Sequence, residues 1–128
     1  MSVDFNRATG LLIIEVVNSN PNGDPDREND PRQRPNGLGE MSPVSVKRKV
    51  RDLVEDHDGV FFQSLPEEYI QQADRYCILE SRGRDRGAIT KEMNDSADFM
   101  SSTFVRKYWD ARVFGNTFLE DGGNKEYI

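Results

Sequence analysis

Four cations stand within five residues in the run "KRKVR": Lys47, Arg48, Lys49 and Arg51. Adjacent cations on one rigid element can follow the phosphates of an RNA or DNA backbone. The commoner meaning of such a run is a solvated helix face. What weighs for binding here is contrast. From Arg32 to Arg51 there are six basic residues and one acid, Glu40, a balance of +5 in a chain whose net charge is −6. Net charge argues against a nucleic-acid partner only as an average; the distribution decides where a polyanion can sit.

The second set of candidates lies in "NSNPNGDPDREND", residues 18–30. Turn backbones expose N–H groups that form anion-binding nests. Asn20 and Asn22 add donors that do not titrate, and Gly23 tolerates positive φ. A calcium loop does not fit. Aligned at Asp24, an EF-hand puts Asn29 where Gly is needed and Pro35 where Glu is needed; aligned at Asn18, it puts Asn29 at the final ligand. Asp24, Asp26, Glu28 and Asp30 could gather a hard cation only loosely, so no metal site is assigned. The ordinary alternative is a solvated surface loop, although loops this long are usually functional or disordered.

Other candidates are weaker. "SRGRDRG", residues 81–87, interleaves Gly and Arg as single-strand contacts do, but Asp85 and Glu80 dilute its charge. His57, the one histidine, sits between Asp56 and Asp58 just past a helix end, where His⁺ is favoured. No Ser or Cys motif makes it a triad base. Phe104, Trp109 and Phe114 read as core. No catalytic constellation and no cofactor are expected. The single cysteine, Cys77, excludes an internal disulfide, and no Cys/His cluster suits zinc.

The elements that must position these residues follow from pattern. "LLIIEVV", 11–17, reads as a central strand bounded by Gly10 and the Asn/Pro/Gly cluster. Residues 18–41 are loop by composition. "PVSVKRKVRDLVED", 43–56, reads as a helix with Ser42 as N-cap and Pro43 in the first position. Its face of Val46, Val50, Leu53 and Val54 leaves Lys47, Arg48 and Arg51 pointing away and Lys49 on the opposite flank. A second helix is expected over "SLPEEYIQQADRY", with Ser64 and Glu67 at capping-box spacing. "YCILE", 76–80, reads as a short strand. A last helix is expected from about Asp95 to about Ala111, with Met100, Phe104, Val105 and Tyr108 as its apolar stripe and Gly115 as the stop. Residues 116–128 read as a polar tail.

The 128 residues suit one ordinary domain. Hydrophobic residues make up 35% and charged residues 31%, which predicts a compact core with long polar excursions. The N-terminus carries no signal-peptide pattern, no run is long enough to span a bilayer, and a reducing, cytoplasmic setting is expected.

Taken in order, the strand, "NPNGDPD" (Asn20–Asp26), "KRKVR" (Lys47–Arg51) and "DARVFG" (Asp110–Gly115) resemble the backbone subunits of type I CRISPR interference complexes, the Cas-seven group. The likeness is greatest to subtypes I-B and I-C and covers roughly residues 10–115. It implies an α+β fold, a ferredoxin-like, RRM-related palm with inserted finger and thumb segments. Residues 1–115 would be the N-terminal part of that palm, with 18–41 as an inserted loop. It implies CRISPR RNA as ligand, target DNA reached through the guide, and further copies of itself and other subunits of the surveillance complex (Cascade) as partners, with no membrane. Asn20, Asn22, Gly23, Lys47, Arg48, Lys49 and Arg51 would form the RNA-binding set, with no catalytic residue and no metal. Members of the group are more than twice this length, so the expectation is an incomplete palm: a truncated form, a split subunit or a broken gene. The rivals are an RNA endonuclease of the type III kind, with Asp24 and Asp26 as first suspects, and an inert or decoy fragment.

Overall fold

The computed structural model describes residues 7–81 and 83–115. They divide into two compact units, with the boundary between Ser45 and Val46.

In the first unit the segment from Asn20 to Glu40 is an ordered hairpin, not the plain loop its composition predicts. Strands β1 (Gly23–Asp24) and β2 (Asp30–Pro31) pair antiparallel around a 3₁₀ turn at Pro25–Arg27. Asp24 caps that turn through its side chain, which accepts from Asp26 N at 3.1 Å. Glu28 and Asn29 take positive φ to bring the chain back. Beyond β2, Gln33 and Gly39 form a further antiparallel bridge. The ion pairs of Arg32 (2.8 Å) and Arg34 (3.3 Å) with Glu40 flank it. The Arg32 guanidinium beside it holds the Glu40 carboxyl below the usual carboxylate range.

Leu11–Val17 is a correction. It forms no strand, and its six apolar residues are between 39% and 86% exposed. A strand exists only by pairing its N–H and C=O groups with a neighbour, and none of the described residues supplies one.

Helix α1 (Pro43–Glu55) starts as the sequence predicts: Ser42 Oγ accepts from Ser45 N at 3.1 Å, and Pro43 takes the first position, where no donor is needed. In the second unit its apolar face is uneven, with Val54 buried, Val46 and Val50 half-buried and Leu53 exposed. Gly59 makes the next turn; a Cβ there would lie 2.6 Å from Asp56 Oδ2. Helix α2 (Val60–Gln63) precedes Ser64, and the single helix expected over residues 64–76 is replaced by α3 (Glu67–Ile70) and a 3₁₀ turn at Ala73–Arg75. The capping box is not used: Pro66 takes the cap position, and Ser64 Oγ donates to Phe61 O.

Residues 76–80 make a single parallel bridge, Cys77 to Tyr108, instead of a strand. Helix α4 (Arg86–Met93), capped by Asp85, follows where a loop was expected to run to residue 87. The long helix expected over residues 95–111 is broken. A 3₁₀ turn at Phe99–Ser101, α5 (Thr103–Lys107) and α6 (Trp109–Phe114) take its place. The break has a cause. Trp109 N donates to Cys77 O at 2.9 Å instead of continuing the helix, and Tyr108 is extended. Gly115 ends α6 at φ +72°, a conformation that suits glycine.

The core is Leu79, Ile89, Met93, Phe104 and Tyr108, so α4 and α5 close over the 77–79 segment. A second cluster stacks His57 on Phe62 (4.3 Å between centroids), with Tyr76 edge-on to Phe62 (5.7 Å). The α+β class holds in the broad sense of helices with one small sheet. The expected tail, residues 116–128, lies outside the described residues.

Candidate nucleic-acid interface

The site is built on α1, and its anchor is a buried ion pair. Arg51 Nε lies 2.8 Å from Asp110 Oδ2; the Arg51 side chain is 14% exposed and that of Asp110 1%. The same carboxylate accepts from Leu79 N at 2.7 Å and Glu80 N at 3.2 Å. Asp110 therefore ties α1, the 79–80 turn and α6 together. Two charge-assisted backbone bonds and a guanidinium satisfy an anion that burial would otherwise penalise heavily. The expectation that Arg51 points away from the packed side of the helix is corrected here. Helical periodicity places it on the flank, but its partner is fifty-nine positions downstream.

Phe114 completes the anchor. The Arg51 guanidinium lies 5.1 Å and Lys47 Nζ 5.2 Å from its ring centroid, the geometry of a cation over a π face. Trp109 meets Phe114 edge-on at 5.7 Å. Thus "KRKVR" and "DARVFG", far apart in sequence, form one structural joint.

Arg48 is held more loosely. Its Nε reaches Asp52 Oδ1 at 2.8 Å, and a terminal nitrogen lies 3.7 Å from Glu55 Oε2. Its other terminal nitrogen donates to Glu80 O at 2.7 Å. Exposed pairs of this kind are worth about 0–1 kcal/mol and yield readily to a competing anion. Lys49 is exposed and lines a shallow cavity with Asp52 and Leu53. Lys47 is half-buried along its stem.

In the first unit the asparagines do internal work. Asn20 Nδ2 donates to Asn29 O at 2.8 Å, and its Oδ1 accepts from Asn22 N at 3.2 Å. Asn22 Oδ1 accepts from Ser42 N at 2.9 Å, and its Nδ2 donates to Gly23 O at 2.9 Å. A Cβ on Gly23 would lie 3.1 Å from Asn29 O, so the strands approach there as closely as glycine permits. Asn22 thereby fastens the hairpin to the residue that caps α1. Sequence alone did not show Asp110 as the partner of Arg51, Phe114 as the ring beneath Lys47, or Ser42 N as the partner of Asn22; the order of "KRKVR" and the distant "DARVFG" was the one hint at the first two.

A further set of charges lies on α4 and α5. Lys107 Nζ lies 2.5 Å from Glu92 Oε1, and Tyr108 Oη donates to Glu92 Oε2 at 2.7 Å. Burial first, then the bond to Glu92, pushes the Tyr108 hydroxyl up to about 12. Its own bond to Glu92 raises the Lys107 ammonium. Burial pushes the Cys77 thiol up, so it is a poor nucleophile at neutral pH. Among the described residues no three His, Cys, Asp or Glu side chains gather as a metal set, and no helix is long and apolar enough to cross a membrane.

Residues 6–126 match the family model of CRISPR-associated protein Cas7. The chain is 28% identical over 132 residues to the CRISPR-associated protein Cas7 of Haloferax volcanii, an alignment that covers 95% of this chain and 35% of that protein. It thus spans about a third of the length of that relative. No solved structure matches. The match over most of its length places this chain in the CRISPR-associated Cas7 family.

Proposed function

We propose that this chain is an RNA-binding portion of a backbone subunit of a type I CRISPR surveillance complex, and that it has no catalytic role. The observation that carries the reading is the contrast within α1. Arg51 is committed to the buried carboxylate of Asp110, while Lys47 lies over the Phe114 ring, Arg48 makes half-exposed pairs and Lys49 is exposed on the same helix. Cations on a fixed element track phosphates without reading bases. Guide–target pairing then carries sequence, and the protein reads backbone and shape. Asn20, Asn22 and Gly23, which bond within the first unit, belong to the proposed RNA-binding set. Subtype I-B or I-C, the RRM-related palm, the cytoplasm as location, target DNA, and further copies and other Cascade subunits as partners belong to the same proposal. It rests on family membership and on the three ordered motifs.

The test is binding of the full chain to single-stranded RNAs of unrelated sequence. Affinities equal within a few-fold support the reading. Absence of binding to every strand at low salt would contradict it. The same strands incubated with magnesium or manganese are expected to stay intact. Cleavage lost in Asp24→Ala or Asp26→Ala would instead make the chain a nuclease.

A further inference from the structure

The second unit holds an aromatic cavity of about 220 Å³, walled by Phe61, Phe62, Tyr69, Tyr76 and Trp109 over Val54. Ligand sites for drug-sized molecules run to roughly 300–1,000 Å³, so this one suits a single planar ring system. Tyr69 and Tyr76 meet edge-on, with centroids 6.5 Å apart, which presents ring faces at an angle instead of a closed stack. Tyr69 is 42% exposed, so the cavity is open on its side.

Tyr69, Tyr76 and Trp109 also line a larger polar cavity of about 490 Å³ with Glu68, Gln72, Arg75 and Arg112. Both guanidiniums there are fixed by neutral partners. Arg75 donates to Gln72 Oε1 at 2.9 Å, and Arg112 donates to the backbone carbonyls of Arg75, Val105 and Arg106. Carbonyls and amides orient a guanidinium without neutralising it. Against the single Glu68 the polar cavity therefore keeps positive character. An apolar, aromatic recess opening beside two fixed cations has the chemistry of a nucleotide: a flat base for the rings, a phosphate for the rim.

We propose that this recess takes one unstacked nucleobase of a bound single strand, with the adjoining sugar-phosphate over Arg75 and Arg112. The inference rests on the RNA-binding reading and adds a base-stacking subsite to it. Trp109 belongs both to the cavity wall and, through Phe114, to the ring cluster beneath Lys47 and Arg51. The recess is thus continuous with the basic helix through packed rings.

Trp109 is the only tryptophan in the chain, so its emission reports on this place. The full chain is titrated with a short oligouridylate and with an abasic ribose-phosphate strand of equal length. The uridylate is expected to quench Trp109 and to bind at least five-fold more tightly than the abasic strand. Tyr69→Ala is expected to remove about five-fold or more of the affinity, and Tyr69→Phe to keep it. Equal binding of both strands, with Tyr69→Ala unchanged, overturns the subsite and leaves the RNA reading standing. Failure of both strands to bind overturns the subsite and the RNA reading together. Emission that responds to an apolar peptide but to neither strand overturns the proposal and makes the recess a protein-docking surface.

Discussion

Removing the Asp110 carboxylate strands three donors at once: the Arg51 guanidinium and the amides of Leu79 and Glu80. Breaking one side of a buried pair costs about 3–5 kcal/mol, because the surviving charge stays in a dry site. Asp110→Ala and Arg51→Ala are each expected to fall in that range by urea unfolding. The double variant should cost clearly less than the sum. Additive losses would mean that the two groups do not interact. A second test at this scale concerns pH. Tyr108, with an ordinary value near 10, is raised to about 12 in the fold, so the folded state holds that proton more tightly. Its contribution is complete below pH about 10 and is lost as pH rises towards about 12; Lys107, also raised, acts in the same direction. Unfolding midpoints should therefore drop over that alkaline interval, and Tyr108→Phe should shed its share of the drop. Neither effect is legible in sequence. Periodicity assigns Arg51 to a helix flank and cannot name a partner that only the packed chain brings within 2.8 Å.

Among the elements, those with local signals were legible and those set by distant partners were not. Ser42 and Pro43 start α1 from chemistry within three residues, and Gly115 ends α6 in the same way. The helix expected across residues 95–111 fails because Cys77 O, some thirty positions upstream, takes Trp109 N. The long-range side-chain bonds of the hairpin also escape a compositional reading, since Asn20 and Asn22 bond to Asn29 O and Ser42 N, positions chosen by the fold. Asn22→Ala removes the acceptor for Ser42 N, so it should speed amide exchange at Ser42 and across the hairpin. Binding of RNA should then weaken less than when the α1 lysines are removed. Unchanged exchange at Ser42 would show that the Asn22 fastening is dispensable.

Across the whole molecule, the unpaired apolar stretch Leu11–Val17 is the most telling feature. Apolar area of this kind gains about 25 cal/mol per Å² when it is covered, and an extended run with open backbone groups is a template for strand pairing. The sequence pattern led to the expectation of a strand here, and none forms. What it could not show is that no described residue offers it an edge. In the isolated chain the amides of residues 11–17 are expected to exchange almost without protection, while those in the core around Leu79, Ile89 and Phe104 exchange slowly. Strong protection of 11–17 in a monomer would show that the chain completes its own sheet. The helical unit, by contrast, carries the proposed function on a framework already anchored by Asp110.

In the proposed reading α1 supplies phosphate contacts while Arg51 serves the fold, and the salt dependence of RNA binding measures this directly. For single strands log K falls with log salt at a slope of about −0.7 per phosphate neutralised. Three contacts from Lys47, Arg48 and Lys49 predict a slope of roughly −2. Lys47→Ala with Lys49→Ala should bring it to about −0.7, with equal loss for every sequence, in a variant that still unfolds cooperatively. A slope that stays near −2 in the folded double variant would take α1 out of the RNA site and contradict the account.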